Sequence, residues 1–276
     1  MLIDLHMHSN SSDGQYSPSE LIDLSERKQL QIIALTDHDT VNGISEAKER
    51  ARSSSVKFIP GIEISSREYE EVHILGLGID EKNQRLLDAT AEMMKDRSNR
   101  CLKISDYLAT RDVIVDLEEI YSIAGEGSVG RPHFAEYLQR HGYVRTKQEA
   151  FDRYIDTPSF HEAKDRVLPT PKDAIDLIHN AGGVAILAHP GLLKKGKAKQ
   201  EAFLLSLKEE GLDGIEVFYS KHSYPQTKYY ASLAERLGLY ISIGSDFHGE
   251  NVKPAVKLGM QLEQYYYRFL PHNIVS

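Results

Sequence analysis

The chain reads as an α/β protein, a closed or nearly closed barrel of parallel strands interrupted by an all-helical insertion. Three observations predict this. Short apolar runs of β type recur in both halves of the chain, helix-forming stretches fall between them, and one long middle segment breaks the alternation. LIDL (2–5) opens the series. Pro18 followed by Leu21, Ile22 and Leu24 predicts a helix with proline in its first turn. QIIALT (31–36) is the second strand, and Asn42-Gly43 leads into a helix carrying Ile44, Ala47 and Ala51. VKFIP (56–60) and VHILGLG (72–78) come next. After the middle segment come VAILAH (184–189), DGIEVF (213–218) and LYISIG (239–244), with helices predicted over 198–210 and 225–237. Strand then helix, repeated, is the signature of a parallel sheet, and about seven such strands predict a barrel.

Residues 84–170 depart from this rhythm. Leu86, Leu87, Met93, Met94, Leu102, Ile104 and Leu108 form one long helical pattern, and shorter helical pieces succeed it at DLEEIYSIA, RPHFAEYLQRHG and TKQEAFDRY. The expected division is therefore a barrel from 1–83 and 171–276 with a helical insertion from 84–170.

Composition narrows the function. The 276 residues carry 41 acidic and 33 basic side chains, a net charge of −8. That balance argues against a broad, non-specific nucleic-acid surface, which needs many cations on phosphates, but not against gripping one nucleotide. A short basic run, LLKKGKAK (192–199), is expected to be a solvated loop. No apolar run approaches the length that spans a bilayer, and the N-terminus lacks a signal-peptide pattern, so no membrane association and cytoplasmic residence are expected. Nothing calls for an obligate protein partner. Cys101 alone cannot form an intramolecular disulfide, and it is expected in the core or on a helix face.

The chemistry lies at the carboxyl ends of the strands. LIDL ends in His6-Met-His8, with Asp13 close behind. QIIALT runs into Asp37-His38, FIPGI into Glu63, VAILA into His189, and YISIGS into Asp246-Phe-His248. In a parallel barrel these strand ends open on one face, so the residues converge. His73 is out of place, near the start of its strand, which implies an antiparallel direction or a shifted boundary. Nine nitrogen- and oxygen-bearing groups gathered in a small volume would suffer desolvation and mutual repulsion unless cations compensated them. Mixed imidazole and carboxylate ligands without sulfur suit manganese, iron or zinc, and nine are too many for one ion, so two or three divalent ions are expected. Asp4, two residues before His6, is expected either to orient a ligand or to serve the fold.

These motifs (DLHMHSNSSDG, ALTDHDT, IPGIEIS, HILGLG, LAHPG and GSDFHG) resemble, in order, those of the polymerase and histidinol phosphatase (PHP) superfamily of metal-dependent phosphoesterases. The resemblance covers residues 1 to about 80 and about 182 to 250. It implies a distorted (β/α)7 barrel and a trinuclear centre, with manganese the first choice of metal. Carried over position by position, His6, His8, Glu63 and Asp246 would hold one ion. Glu63 would bridge to a second, held also by His73 and His189, and Asp13, His38 and His248 would hold the third. GRPHFA (130–135) and EVFYSKHS (216–223) resemble the branch acting on nucleotides, which includes nucleoside 3′,5′-bisphosphate phosphatases and 5′-to-3′ exoribonucleases. By that likeness Arg131 and His222 would bind and help to cleave a small phosphorylated substrate, a nucleotide or an RNA 5′ end, with His222 as a candidate acid. Lys221 and His133 are weaker candidates. The rival readings are a histidinol-phosphate phosphatase, an amidohydrolase, and a non-catalytic metal-binding regulatory module.

Overall fold

The computed structural model describes residues 1–66, 72–124, 129–163, 168–193 and 196–275. The chain forms two compact units, Met1–Thr90 with Leu168–Ser276, and Ala91–Val167. Its strands are β1 (Leu2–Met7), β2 (Ile32–Leu35), β3 (Lys57–Ser65), β4 (His73–Leu77), β5 (Val184–Leu187), β6 (Gly214–Tyr219), β7 (Tyr240–Gly244) and β8 (Met260–Gln261). Its helices are α1 (Pro18–Arg27), α2 (Ile44–Ala51), α3 (Gln84–Ala109), α4 (Leu117–Ala124), α5 (Arg131–Arg140), α6 (Lys147–Ala150), α7 (Pro158–Ala163), α8 (Pro171–Asn180), α9 (Lys197–Glu209), α10 (Tyr224–Leu237), α11 (Gln264–Tyr267) and α12 (His272–Val275).

In the first unit the strands form one sheet in the order β7-β6-β5-β4-β3-β2-β1-β8. The pairs β1–β2, β2–β3, β5–β6 and β6–β7 are parallel. β4 runs antiparallel to both of its neighbours, with His73 opposite Ser65. This reversal explains the odd position of His73. The first residue of β4 lies at the end where the parallel strands finish. The barrel nearly closes on the outer edge of β1. Its first residues pair with β8, and beyond them the His8 N–H donates to Phe247 O at 2.9 Å and the Asp246 N–H to His6 O at 2.9 Å. Among the described residues the sheet thus has eight strands where seven are legible in the sequence. β8 has only two residues, below the four to eight that a hydrophobic pattern registers.

Period-two alternation puts His6 and His8 on the same side of β1, while Met7 joins Leu21 and Ile22 of α1 and Ala47 of α2 in an apolar layer. Each fully buried side chain of this kind contributes about 1.5–3 kcal/mol. The helices start where the sequence supplies caps. Ser17 with Glu20 and Thr170 with Asp173 each satisfy two otherwise free N–H groups, Gln226 accepts from the Ser223 N–H, and proline stands in the first turn of all three helices.

The second unit contains most of α3 and all of α4 to α7. Its core gathers Cys101, Ile104, Leu108, Ile120, Phe134, Leu138, Ile155 and Phe160, so Cys101 is a core residue. Among the described residues no helix is long and apolar enough to cross a membrane.

Candidate metal centre

A set of buried carboxylates holds the strand ends in register. Asp4 accepts from the Ser245 N–H at 2.9 Å and the Ser245 hydroxyl at 2.5 Å, tying β1 to the end of β7. Asp37 accepts from the Ser9 N–H and hydroxyl at 2.7 and 2.6 Å, and from the Ser12 hydroxyl at 2.5 Å. Asp39 accepts from the Ser65 N–H and hydroxyl at 2.8 and 3.0 Å. A buried carboxylate without donors would be prohibitively costly, and here one serine supplies two donors to each. Burial still pushes Asp4 and Asp37 up to about 6, against the pull of those hydrogen bonds. Every staple abuts a candidate ligand. Ser245 precedes Asp246, Ser9 succeeds His8, and Asp37 and Asp39 flank His38.

Glu63, fully buried on β3, is the hub. Its Oε1 lies 2.9 Å from His73 Nδ1 and 3.0 Å from His189 Nε2. Its Oε2 lies 3.2 Å from His6 Nε2, 3.2 Å from His8 Nε2 and 3.1 Å from His38 Nδ1, yet no hydrogen bond satisfies this oxygen among the described residues. Three ring nitrogens crowd an oxygen without bonding to it. That arrangement fits lone pairs aimed at a shared cation.

The donor spacings test the fit. Ligand atoms about 2.0–2.2 Å from a zinc-like ion stand about 3.3–3.6 Å apart at the corners of a tetrahedron. His6 Nε2, His8 Nε2 and Asp246 Oδ1 are separated by 3.1, 3.5 and 3.8 Å. Asp13 Oδ1 is 3.2 Å from His248 Nε2 and 3.7 Å from His8 Nδ1, and Asp13 Oδ2 is 4.0 Å from His38 Nε2. Among the described residues four groups of donors form within 4.8 Å: His8, Asp13, His38, His248; His6, Glu63, His189; His6, His8, Asp246; and His38, Glu63, His73. All nine candidate residues fall in at least one. The groups overlap at His6, His8, His38 and Glu63, whereas in the division that the resemblance implies only Glu63 is shared.

The electrostatics are those of a pocket short of positive charge. Burial disfavours the carboxylate of Glu63, but His38, His6 and His73 outweigh it and hold Glu63 well below the usual range. Burial likewise opposes protonation of His6, and Glu63 and Glu216 overcome it, so His6 is raised well above an ordinary histidine. His8 goes the other way, depressed by burial and by the neighbouring His248 and His38. Two rings whose Nε2 atoms stand 3.1 Å apart are thus in conflict, carboxylates drawing a proton to His6 while burial and imidazole neighbours keep one from His8. A divalent cation removes the conflict. Two of the candidate ligands also sit in left-handed backbone, His189 at φ 30° and Asp246 at φ 59°, a conformation costing on the order of 1–3 kcal/mol each.

Several residues that hydrogen-bond to the candidate ligands are not among the site residues expected from the sequence. Glu216 Oε1 accepts from His6 Nδ1 at 3.0 Å, which leaves Nε2 to face the pocket, and its Oε2 accepts from the His189 N–H at 2.7 Å. Tyr219 OH and Lys253 Nζ both donate to Asp246 Oδ2, at 3.0 and 2.9 Å, so only Oδ1 faces the imidazoles. A glutamate within the apolar run GIEVF is itself a signal, since a buried charge requires a partner. Tyr219 and Lys253 give none.

The two residues expected to act on substrate are placed differently. Both ring nitrogens of His222 engage backbone: Nδ1 donates to Val217 O at 3.0 Å, and Nε2 accepts from the Gly191 N–H at 3.0 Å. Burial holds this ring below the usual histidine pKa. In that state it has no N–H left for a leaving oxygen, which runs against the acid role. Arg131, in the second unit, opens α5 and pairs with Asp156 at 3.1 Å, while His133 Nδ1 accepts from the Gly130 N–H as part of the helix cap. Two residues of the basic run at 192–199, numbers 194 and 195, lie outside the described residues.

Known proteins share both the sequence pattern and the barrel. The PHP domain family profile matches residues 4–154. A 3′,5′-nucleoside bisphosphate phosphatase of Chromobacterium violaceum is 34% identical over 248 residues, covering 89% of this chain and 87% of its own. The 5′-3′ exoribonuclease Rnm of Escherichia coli is 32% identical over 269 residues, covering 95% and 89%. Among solved structures, a Chromobacterium violaceum protein described as an amidohydrolase with bound sulfate and no metal superposes with a TM-score of 0.82 at 32% identity, covering 95% of this chain and 92% of its own. A Bifidobacterium adolescentis protein assigned to the metal-dependent phosphoesterases gives 0.81 at 26% identity, covering 99% and 95%. Profile, relatives and barrel agree: the chain belongs to the PHP domain family, as a hydrolase of phosphate esters.

Proposed function

We propose that this enzyme hydrolyses a phosphate monoester of a nucleotide, a nucleoside 3′,5′-bisphosphate or a related small substrate, and that it also acts as a 5′-to-3′ exoribonuclease, cleaving the terminal phosphodiester at the 5′ ends of RNA. The observation that carries the metal-dependent reading is Glu63, with five imidazoles within 3.2 Å of its two oxygens. His6, His8, Asp13, His38, Glu63, His73, His189, Asp246 and His248 would hold two or three divalent ions, manganese first and iron or zinc as alternatives. Ions held there supply Lewis-acid stabilisation of phosphoryl oxygens and lower the pKa of water near them.

The chain's own residues do the rest. Glu63, shared between donor groups, fixes their separation, and the staples on Asp4, Asp37 and Asp39 keep the strand ends from relaxing as charge changes. Arg131 would exchange Asp156 for a substrate phosphate, which a guanidinium can clasp through two parallel N–H bonds. An acidic chain suits gripping one terminal nucleotide better than tracking a long polyanion. The phosphatase and exoribonuclease relatives support the nucleotide class over histidinol phosphate.

The test is a paired assay with manganese restored, on adenosine 3′,5′-bisphosphate, a short 5′-phosphorylated RNA and histidinol phosphate. The expected order of kcat/KM is bisphosphate first, RNA second and histidinol phosphate last. Faster turnover of histidinol phosphate, or hydrolysis of amides without phosphate esters, would overturn the assignment.

A further inference from the structure

β6 stands apart from the other barrel strands. β1, β2, β3, β4, β5 and β7 each end or begin beside a candidate ligand, whereas β6 and its adjoining turn carry none among the described residues. Yet residues 216 and 219 hydrogen-bond to candidate ligands, and residue 222, three further on, to the loop that follows His189. Glu216 bonds to the His6 ring and to the His189 backbone, Tyr219 to the outer oxygen of Asp246, and His222 to the backbone of Gly191, two residues past His189.

The His222 contact is the most constrained. A Cβ at Gly191 would stand 2.6 Å from Cδ2 and Nε2 of His222, so the loop after His189 lies directly against the ring. The ring cannot turn freely: Val217 O fixes Nδ1, and Tyr219 and Tyr230 flank it with centroids at 5.1 Å. Tyr230 is in turn held by Gln200 at 3.0 Å. His189 itself adopts φ 30°, a conformation that survives only where its surroundings over-determine it. The bonds from Glu216 to its own N–H and from His222 to Gly191, two residues on, supply that constraint.

We propose that Glu216 and Tyr219 of β6, with His222 in the turn after it, form a positioning strand: Glu216 and Tyr219 set the orientation of His6, His189 and Asp246 by direct hydrogen bonds, His222 acts on His189 through the Gly191 backbone, and the three contact neither the ions nor the substrate. This rests on the metal-centre reading and assigns His222 a role other than proton donor. Partners that orient ligands in this way typically change metal affinity or activity about ten- to a hundredfold when removed.

The experiment compares wild type, His222→Ala, His222→Gln and Tyr219→Phe. Manganese affinity of the metal-free proteins is measured by competition with a chelator, alongside kcat/KM on adenosine 3′,5′-bisphosphate and on 4-nitrophenyl phosphate. A glutamine amide oxygen reaches the Nε2 position and can accept from Gly191. His222→Gln is therefore expected to bind manganese within about threefold of wild type, whereas His222→Ala weakens binding at least about tenfold. Tyr219→Phe, which removes one hydroxyl and little volume, should weaken it about tenfold and serves where His222→Ala fails to fold. Losses in kcat/KM should be equal on the two substrates. Unchanged manganese affinity in His222→Ala and Tyr219→Phe would overturn the inference alone. So would a His222→Gln protein as defective as the alanine variant, with losses concentrated on the poorer leaving group. Wild-type protein that binds no manganese would overturn the metal centre and the positioning strand together.

Discussion

The barrel unit and the helical unit are built on opposite principles. In the barrel, Asp4, His6, His8, Asp37, Asp39, Glu63, His189, Glu216, Asp246 and His248 are buried. In the helical unit, among the described residues, every buried side chain is apolar or aromatic, Phe134 and Phe160 being the largest fully enclosed. Burying charge costs free energy unless each group finds a partner, while burying phenylalanine contributes free energy directly. The difference teaches that the barrel accepts a buried charged cluster beside its apolar layers, which the proposed cations would balance, and that the helical unit has no such cluster among the described residues.

The sharpest way to break this contrast is to disturb the hub. Glu63→Gln keeps the volume and removes the charge that five imidazoles surround, and kcat/KM should fall at least about a thousandfold, the equivalent of about 4 kcal/mol. Activity near wild type would mean that the carboxylate is structural. Phe160, fully buried and edge-on to Tyr107 at 5.5 Å, tests the other unit. Phe160→Ala should destabilise it by about 3–5 kcal/mol in chemical denaturation, by the same amount with and without manganese. A metal-dependent difference would blur the contrast. Ser245→Ala removes one of the donors to buried Asp4 and should lower barrel stability by about 1–3 kcal/mol in urea unfolding. Arg140→Ala breaks only the exposed pair with Glu136, and the expected change is below about 0.5 kcal/mol.

Much of the site was legible because its side chains come at or just past the ends of apolar strands. His6 and Glu63 stand within the last residues of β1 and β3, His8, His38, His189, Asp246 and His248 lie one to four residues past a strand end, and a barrel gathers what its strand ends carry. His73 needed the strand direction, which a hydrophobic run does not encode: β4 reads like its parallel neighbours but runs against them. The positioning groups were hidden for a different reason. In a strand apolar on both faces, period-two alternation is invisible, so nothing marks Glu216 as pointing inward except its charge. Lys253 reaches Asp246 from seven residues further along, in a loop with no pattern of its own. The resemblance to nucleotide-acting relatives drew attention to His222 and Arg131, but motif likeness carries no information about where a ring nitrogen points. Only the hydrogen bonds to Val217 and Gly191 do.

Equilibrium dialysis of the metal-free protein against manganese, with Glu63→Gln in parallel, measures the claim on which the rest depends. Two or three ions per wild-type chain at saturation, with at least one lost in the variant, is the predicted result. Absence of saturable binding by the wild type, or equal binding by both proteins, would contradict it.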